Sequence, residues 1–437
     1  MMNIIYIHTH DTGRYIQPYG YGVPTPNLMQ FAQSATLFRH AYCAGPTCSA
    51  SRAALLTGMC SHESGMIGLA HRGFKLKDYS QHLARYLLEQ GYETALSGVQ
   101  HETRYDRVQE DLGYQKMVVG TGEMYAENMD IKNAEAVCEY LAEPKDKPFF
   151  LSYGLFHTHR EFPKELTVNP DYVIPPAPLY DNANNREDFA AFITSAKIAD
   201  ECIGKVLQAI KDTGHDKDTL VIFTTDHGIA FPFMKCNLYD SGIGVALMMS
   251  YPGNPLAGRA VDTLVSQIDV FPTICDLIAS PKPEWLQGVS LLPVFRGERE
   301  EVNEEIFSEV TFHATYEPKR CVRTSRYKLI RLYEPSTKYI PANTDDSLSK
   351  TFVYESGIAE HELAEELLFD LYLDPNERNN VAAAPEYADV YAEMTKRLED
   401  WMARTNDPLI PDGRVEKPEG AKINRISCYS PSANDLI

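Results

Sequence analysis

Hydrophobic positions along this chain fall into short apolar runs separated by stretches with a helical repeat. The runs are "NIIYI" (3–7), "TLFRHAY" (36–42), "YETALSG" (92–98), "PFFLSYGLF" (148–156), "TLVIFTT" (219–225) and "GVALMMS" (244–250). Their length and β-branched or aromatic content predict buried strands. Between them, "PTPNLMQFAQSA" predicts a helix with Thr25 as N-cap and Pro26 in its first position. "YSQHLARYLLEQG" predicts an amphipathic helix capped by Ser80 and ended by Gly91. A short helix over 51–57 stops at Gly58, and further helices are expected over 133–143, 187–212 and 269–279. Strands alternating with helices predict an α/β fold: a large mixed, mostly parallel sheet sandwiched by helices.

The pattern changes near residue 300. After the acidic stretch "GEREEVNEE" come "EIFSEV", "KRCVRT" and "YKLIRLY", with no helix between them. They predict a smaller C-terminal α+β unit with an antiparallel sheet, closed by the amphipathic "EYADVYAEMTKRLEDWM". The expected division is 1–300 and 301–437. "IPANTDDSLSKTFVYESG" (340–357) is polar and reads as a loop over the site or the surface.

A chain of 437 residues exceeds the usual limit of one core, which agrees with that division. The formal charge of −20 argues against nucleic-acid binding, and no Lys/Arg stripe offsets it. The nine cysteines are dispersed singly, which suits neither a disulfide framework nor a structural zinc site. No apolar run approaches the ~18 residues of a membrane span. With the N-terminus passing straight into a strand, a cytoplasmic location is the expectation. A homo-oligomer is compatible with these features.

Open α/β sheets bind ligands beyond the carboxyl ends of their strands. Those ends carry His8-Thr9-His10-Asp11, Gln100-His101, His157-Thr158-His159-Arg160 and Asp226-His227-Gly228. The chain has only 13 histidines, so this clustering is not the expectation for a random distribution. Singly, each motif is as well explained by a polar turn or a helix cap. Together they suggest a metal site, in which carboxylates supply oxygen and imidazoles supply nitrogen. Cys48 opens the short helix in "GPTCSASRAALLTG", four residues before Arg52. A helix N-terminus favours thiolate, whereas a buried free cysteine is a small inert hydrophobe.

"CSASRAALLTG" resembles the signature of the type I sulfatases, members of the alkaline phosphatase superfamily, and the supporting motifs at the other strand ends fit. Within that family "GMIGLAHRG", "FTTDHGIAFPFMKCNLY" and "RTNDPLIPDG" are most similar to the sulfamidase, or heparan N-sulfatase, branch. The resemblance implies an enzyme that releases sulfate from a sulfated sugar, of which N-sulfoglucosamine is the nearest example. It implies that Cys48 is oxidised by a maturation enzyme to formylglycine, whose hydrate attacks sulfur. His10, Asp11, Asp226 and His227, with residue 48, would hold one divalent ion: Ca2+ by resemblance, with Mn2+ or Zn2+ suiting the two imidazoles better. Arg52 would stabilise the aldehyde hydrate, His101 would remove its second proton, and Lys235 and His159 would grip sulfate and protonate the leaving group. Gln100, His157, His71, Arg72, His313 and Arg320 are further candidates for substrate contact.

Three departures from the family pattern are visible. His10 and His227 replace carboxylate and amide ligands, Gln100 replaces a lysine, and Ala50 replaces the commoner proline of the signature. The Ala50 form resembles substrates of oxygen-independent maturation. The imidazoles keep open a metal-dependent phosphodiesterase or phosphonate monoester hydrolase of the same superfamily. Gln100 keeps open an anion-binding protein without turnover.

Overall fold

A computed structural model describes residues 2–118 and 128–437. The first eight strands are β1 (Asn3–Thr9), β2 (Thr36–Tyr42), β3 (Glu93–Gly98), β4 (Lys116–Met117), β5 (Phe149–Gly154), β6 (Thr219–Thr225), β7 (Leu247–Ser250) and β8 (Arg259–Ser266). They form one sheet in the order β4-β3-β5-β1-β6-β7-β2-β8. Every pairing is parallel except those of β7 with β6 and β2. The helices that matter below are α1 (Pro26–Ala32), α2 (Cys48–Thr57), α3 (Leu83–Glu89), α4 (Met129–Ala142), α5 (Ala183–Asp212) and α6 (Val270–Leu277).

The near-continuous apolar runs arise because both sheet faces are covered. Ile4, Tyr6, Phe150, Leu220 and Ile222 enter one core cluster, while Ile5, Ile7, Phe149, Leu151, Val221 and Phe223 enter the other. Successive residues of a strand point to opposite faces, so a run such as "LVIF" needs an apolar residue at every position. Each such side chain contributes about 1.5–3 kcal/mol when fully buried.

A second sheet follows, in the order β12-β11-β10-β9 and antiparallel throughout. Its strands are β9 (Glu305–Phe312), β10 (Tyr316–Thr324), β11 (Tyr327–Leu332) and β12 (Glu366–Asp370). Between β11 and β12 lies helix α7 (Leu348–Glu355), and α8 (Ala388–Arg404) packs Met394, Leu398, Trp401 and Met402 against Phe312, Val322, Leu329 and Leu368.

Several local expectations change. The segment 340–357 is not wholly loop, because Ser347 caps α7 by accepting from Lys350 N. Helix α3 starts at Leu83, where His82 Nδ1 accepts from Ala84 N, and Ser80 lies outside it. Helix α2 begins at Cys48 rather than residue 51, and α5 begins at Ala183 behind the Asn182 cap. Thr25 precedes α1 without a side-chain cap, since its Oγ1 accepts from Gln17 N at 2.9 Å instead. Strands β4, β8 and β12 are additions. Among the described residues no helix is long and apolar enough to cross a membrane.

Candidate active site

The carboxyl ends of β3, β5, β1 and β6 lie side by side on one rim. Thr9 pairs with Thr225 in register, so the residues after them, Asp11 and Asp226, emerge together. The rim is tight. A Cβ on Gly154 would meet Val99 O at 2.1 Å and His8 Cε1 at 2.5 Å, so only glycine lets β5 end there. Asp11, His101 and Thr158 have positive φ of 47°, 82° and 81°. Non-glycine residues tolerate that region at a cost of order 1–3 kcal/mol, and functional sites are where it recurs.

Asp11, Cys48, Asp226 and His227 place one ligand atom each within 4.8 Å of all the others, as do His10, Asp11, Cys48 and His159. Asp11, Asp226 and both ring-bearing neighbours His10 and His227 are buried. His227 Nδ1–H donates to Gly228 O at 2.9 Å, which leaves a lone pair on Nε2. Nε2 makes no hydrogen bond, although it lies 3.3 Å from Asp11 Oδ1 and 3.6 Å from Asp226 Oδ2. A buried imidazole lone pair directed among carboxylate oxygens fits a divalent cation.

His10 sits on the same carboxylates, with Nδ1 2.9 Å from Asp11 Oδ1 and 3.2 Å from Asp226 Oδ2. Its Nε2 is 3.1 Å from His101 Nδ1. Burial holds both rings well below the ordinary imidazole range, so both are neutral and share one proton across that contact. If His10 Nδ1 keeps its lone pair for a metal, Nε2–H points at His101. If His101 Nδ1–H donates instead, His101 Nε2 is free and His10 Nδ1–H bonds Asp11. The two roles exclude each other.

Helix α2 is buried along its whole length. Ser51 Oγ donates to Asp226 O, and Arg52 Nη2 donates to Asp226 Oδ2 at 3.0 Å and Thr9 O at 3.2 Å. Arg52 Nη1 also contacts His8 Nδ1, whose other nitrogen is 3.2 Å from Ser152 Oγ. These ties lock Cys48 against the rim, its Sγ 3.9 Å from Asp11 Oδ1. The thiolate expectation fails. Burial pushes the Cys48 thiol well above its usual value, and the nearby Lys235 charge does not compensate.

Lys235 Nζ lies 2.7 Å from Asp11 Oδ2 and 3.1 Å from Asp345 Oδ2. Burial opposes its charge, but Asp11 and Asp345 more than restore it. His159, whose side chain is 24% exposed, has Nε2 3.9 Å from Asp11 Oδ2.

The remaining candidates divide. His71 lies beside His101, with ring centroids 6.3 Å apart, and His313 is buried with an unbonded Nδ1. Gln100 does not point at the site: its amide bonds Thr103 O, Thr103 N and Glu102 N and shapes the loop. His157 is held by Asp130 at 2.6 Å, and Arg72 by Ala314 O, Asn424 Oδ1 and Pro431 O. Arg320 is fully buried on Asp407 and belongs to another cluster. Sequence reasoning missed two residues. His8 was visible in "HTHD" but carried no assigned task, whereas Asp345 comes from a polar segment 110 positions beyond Lys235 and left no signal.

Comparison with known proteins gives concordant matches. A family model described as Sulfatase covers residues 2–280, and one described as N-sulphoglucosamine sulphohydrolase, C-terminal, covers residues 226–348. Human N-sulphoglucosamine sulphohydrolase is 29% identical over 459 residues, spanning 90% of this chain and 89% of that protein. A protein solved with its substrate D-glucosamine-2-N,6-O-disulfate superposes with a TM-score of 0.72 at 18% identity, covering 93% of this chain and 98% of that one. The phosphonate monoester hydrolase of Agrobacterium radiobacter gives 0.69 at 21% identity, covering 93% and 96%.

Proposed function

The chain belongs to the sulfatase family, hydrolases of sulfate esters and sulfamates, and from that premise we propose that it releases inorganic sulfate from a sulfated amino sugar, with N-sulfoglucosamine as the leading candidate. The observation that carries this reading is the meeting of Asp11, Asp226 and His227 with Cys48 at one buried point. The sulfamidase relative and its C-terminal model support the choice of sugar.

Asp11, Asp226 and His227 would hold a divalent ion together with an oxygen on residue 48. When bound, such an ion supplies Lewis acidity toward sulfate and an acidified hydroxyl. His10 we assign to a different task from the one expected of it. A free Nε2 on His101 requires His10 Nδ1–H to bond Asp11, so His10 orients the base rather than completing the ion's shell. Cys48 must first be oxidised by a maturation enzyme with an external two-electron oxidant, its –CH2–SH group losing sulfur and two hydrogens and gaining an aldehyde oxygen, because a thiol that attacked sulfate would be left as a stable thioester of sulfuric acid with no second hydroxyl through which to expel it.

The other residues then have defined tasks. Arg52, tied to Asp226, fixes positive charge beneath residue 48. Lys235 meets the sulfate oxygens, and its loss should cost on the order of 10²–10³ in turnover. His159, the most accessible of the group, protonates the departing sugar atom, a contribution of roughly 10²–10⁴. His101 takes the proton that allows sulfate to leave.

A second reading, phosphodiester or phosphonate monoester hydrolysis, is favoured by the imidazole among the proposed ligands, His227. Matched aryl sulfate, glucosamine sulfamate and aryl phosphodiester substrates separate the two. Faster sulfate or sulfamate turnover is expected, and a preference for the phosphodiester sinks the sulfatase assignment. Intact-mass analysis checks residue 48, where oxygen should replace sulfur and two hydrogens should be lost, the mass of an aldehyde and not of serine.

A further inference from the structure

A group of charges where the two sheets meet is one anion short. Arg14 follows β1, Tyr42 ends β2, Asp240 precedes β7, Arg323 lies on β10, Lys328 on β11, and Glu377 follows β12. The Tyr42 ring is fully buried and carries two guanidiniums, with Arg14 Cζ 4.4 Å and Arg323 Cζ 4.3 Å from its centroid. Arg323 is neutralised, because its Nε and Nη2 donate to Asp240 Oδ1 and Oδ2 at 3.1 and 3.0 Å. Lys328 Nζ lies 2.5 Å from Asp240 Oδ1 and 2.7 Å from Glu377 Oε1.

Arg14 has no such partner. Its Nη2 donates to Ala41 O at 2.8 Å, its Nε is buried without a hydrogen bond, and no carboxylate among the described residues lies within ion-pair distance. Asp240, whose charge reaches Arg14, is already shared by Arg323 and Lys328. The guanidinium nevertheless has a prepared place. A Cβ on Gly244 would meet Arg14 Cζ at 2.9 Å and Nε at 3.0 Å, so only glycine leaves the space it occupies.

Arg14, Tyr42, Asp240, Arg323 and Glu377 line a cleft of about 600 Å³, the size of a small-ligand site. Five further tyrosines, Tyr15, Tyr21, Tyr239, Tyr339 and Tyr372, line it as well. So does Arg378, which is exposed and has no ion-pair partner among the described residues. Counting Lys328 behind the wall, four cations meet two carboxylates, in a chain whose net charge is −20. The cleft is separate from the sulfate seat: Asp11, Cys48, Asp226, His227 and Lys235 do not line it.

We propose that this cleft is a second, non-catalytic site that takes an acidic sugar, with the sugar's carboxylate or sulfate on Arg14. A guanidinium left without its anion is matched by a carboxylate or sulfate through charge-assisted hydrogen bonds. Tyrosines offer an apolar ring and a polar tip, which suits the C–H faces and hydroxyls of a pyranose. Asp240 and Glu377 accept hydrogen bonds and donate none, so they call for a ligand rich in hydroxyls rather than a flat aromatic acid. The site uses none of the sulfatase chemistry and stands apart from that reading.

The probe is a hyaluronan tetrasaccharide, which carries carboxylates and no sulfate ester; its carboxyl-reduced form is the neutral control. Calorimetry on the wild type should show binding of the acidic form and about 10-fold or more weaker binding of the neutral one, the scale of one charge-assisted hydrogen bond. Arg14→Gln should weaken the acidic form by about 10- to 100-fold and leave the neutral form unchanged. Tyr372→Ala, at a position 67% exposed and remote from the core, should weaken both forms alike. Lys235→Ala should change neither. No binding by the wild type, equal binding of the two forms, or a loss in Lys235→Ala with none in Arg14→Gln overturns the proposal. Turnover then locates the sugar's source. If the acidic unit belongs to the substrate chain, Arg14→Gln raises KM for a sulfated tetrasaccharide but not for a sulfated monosaccharide. If it is a separate molecule, both KM values hold while the binding defect persists. A wild type that turns over no sulfate would remove the sulfatase reading and leave the binding result intact.

Discussion

Two buried clusters in this molecule are built from the same residue types and do opposite things. One is the rim cluster of Cys48, Asp11, Asp226 and His227; the other joins Cys60, His62 and Glu309, with Arg320 and Asp407 behind them. In the second cluster every charge has a partner. His62 Nδ1 is 2.9 Å from Glu309 Oε1, and its Nε2 is 3.2 Å from Thr405 O, so a protonated ring donates at both ends. Arg320 grips Asp407 with Nε and Nη2 and donates from Nη1 to Val310 O and Thr311 Oγ1. At the rim, by contrast, three carboxylates, Asp11, Asp226 and Asp345, meet among the described residues two lysine or arginine charges, Lys235 and Arg52, and among the imidazoles around them His227 Nε2 bonds nothing. A closed network that balances its own charge clamps two layers together. A network left one cation short, with a directed lone pair, is a seat for something else. Residue composition cannot tell them apart; valence accounting can.

The largest expected effect breaks the comparison at its sulfur atoms. Cys48→Ala should abolish sulfate release, a loss on the order of 10⁶-fold, which is the scale of deleting a covalent nucleophile. Cys60→Ala, beside the closed network, should keep turnover of the wild-type order. Both proteins should show unchanged far-ultraviolet circular dichroism. Wild-type turnover in Cys48→Ala would end the nucleophile assignment.

Much of this contrast was legible in the chain before any coordinates. Strand runs buried on both faces are hard to mistake, and parallel order puts their carboxyl ends on one rim. His10, Asp11, His101, His159, Asp226 and His227 could therefore be gathered from four separate motifs. What stayed hidden depends on partners remote in sequence. Arg320 looked available for substrate because nothing near it reveals Asp407, 87 positions away. Asp345 looked like loop polarity because its meaning is Lys235. Ser80 looked like a helix cap because it is a good one in general, and His82 takes the position through a ring nitrogen. The Cys48 thiolate failed for the same reason: helix position is local, whereas burial is set by the whole fold.

Stability should respond in the opposite sense to activity. Arg320→Ala leaves Glu309 and Asp407 buried without their shared cation, and removing one partner of such a network costs about 3–5 kcal/mol. Asp226→Asn removes a charge from a crowded site. Asp226→Asn also leaves Arg52 buried without its carboxylate partner, but it relieves the crowding with Asp11, so the metal-stripped variant should lose less stability in urea than Arg320→Ala even though its turnover is lost. Urea midpoints of the two variants check this, and a large destabilisation by Asp226→Asn would show that the rim cluster is also a clamp.

The smallest effect concerns pH and sharpens the closed network alone. Burial disfavours the His62 charge, but Glu309 and the hydrogen bonds to Cys60 and Glu309 outweigh it and raise the ring to about 11. Burial also opposes the Glu309 charge, and His62 and Arg320 outweigh it and bring the carboxyl down to about 2. A raised histidine stabilises fully below its unfolded value of about 6.5 and loses that contribution as pH rises toward 11. A depressed carboxylate stabilises above its unfolded value of about 4.3 and loses its contribution as pH falls toward 2. The clamp is therefore strongest between about pH 4.5 and 6.5. His62→Gln cannot gain the proton, so the stability gap between wild type and variant should be widest in that window. Above it the gap should narrow by no more than about 1.4 kcal/mol per pH unit, the limit for one proton. Urea titrations of both proteins at pH 6, 7, 8 and 9 read that slope directly. A gap that stays constant over the series would mean that His62 is neutral and that Arg320 alone balances the two carboxylates.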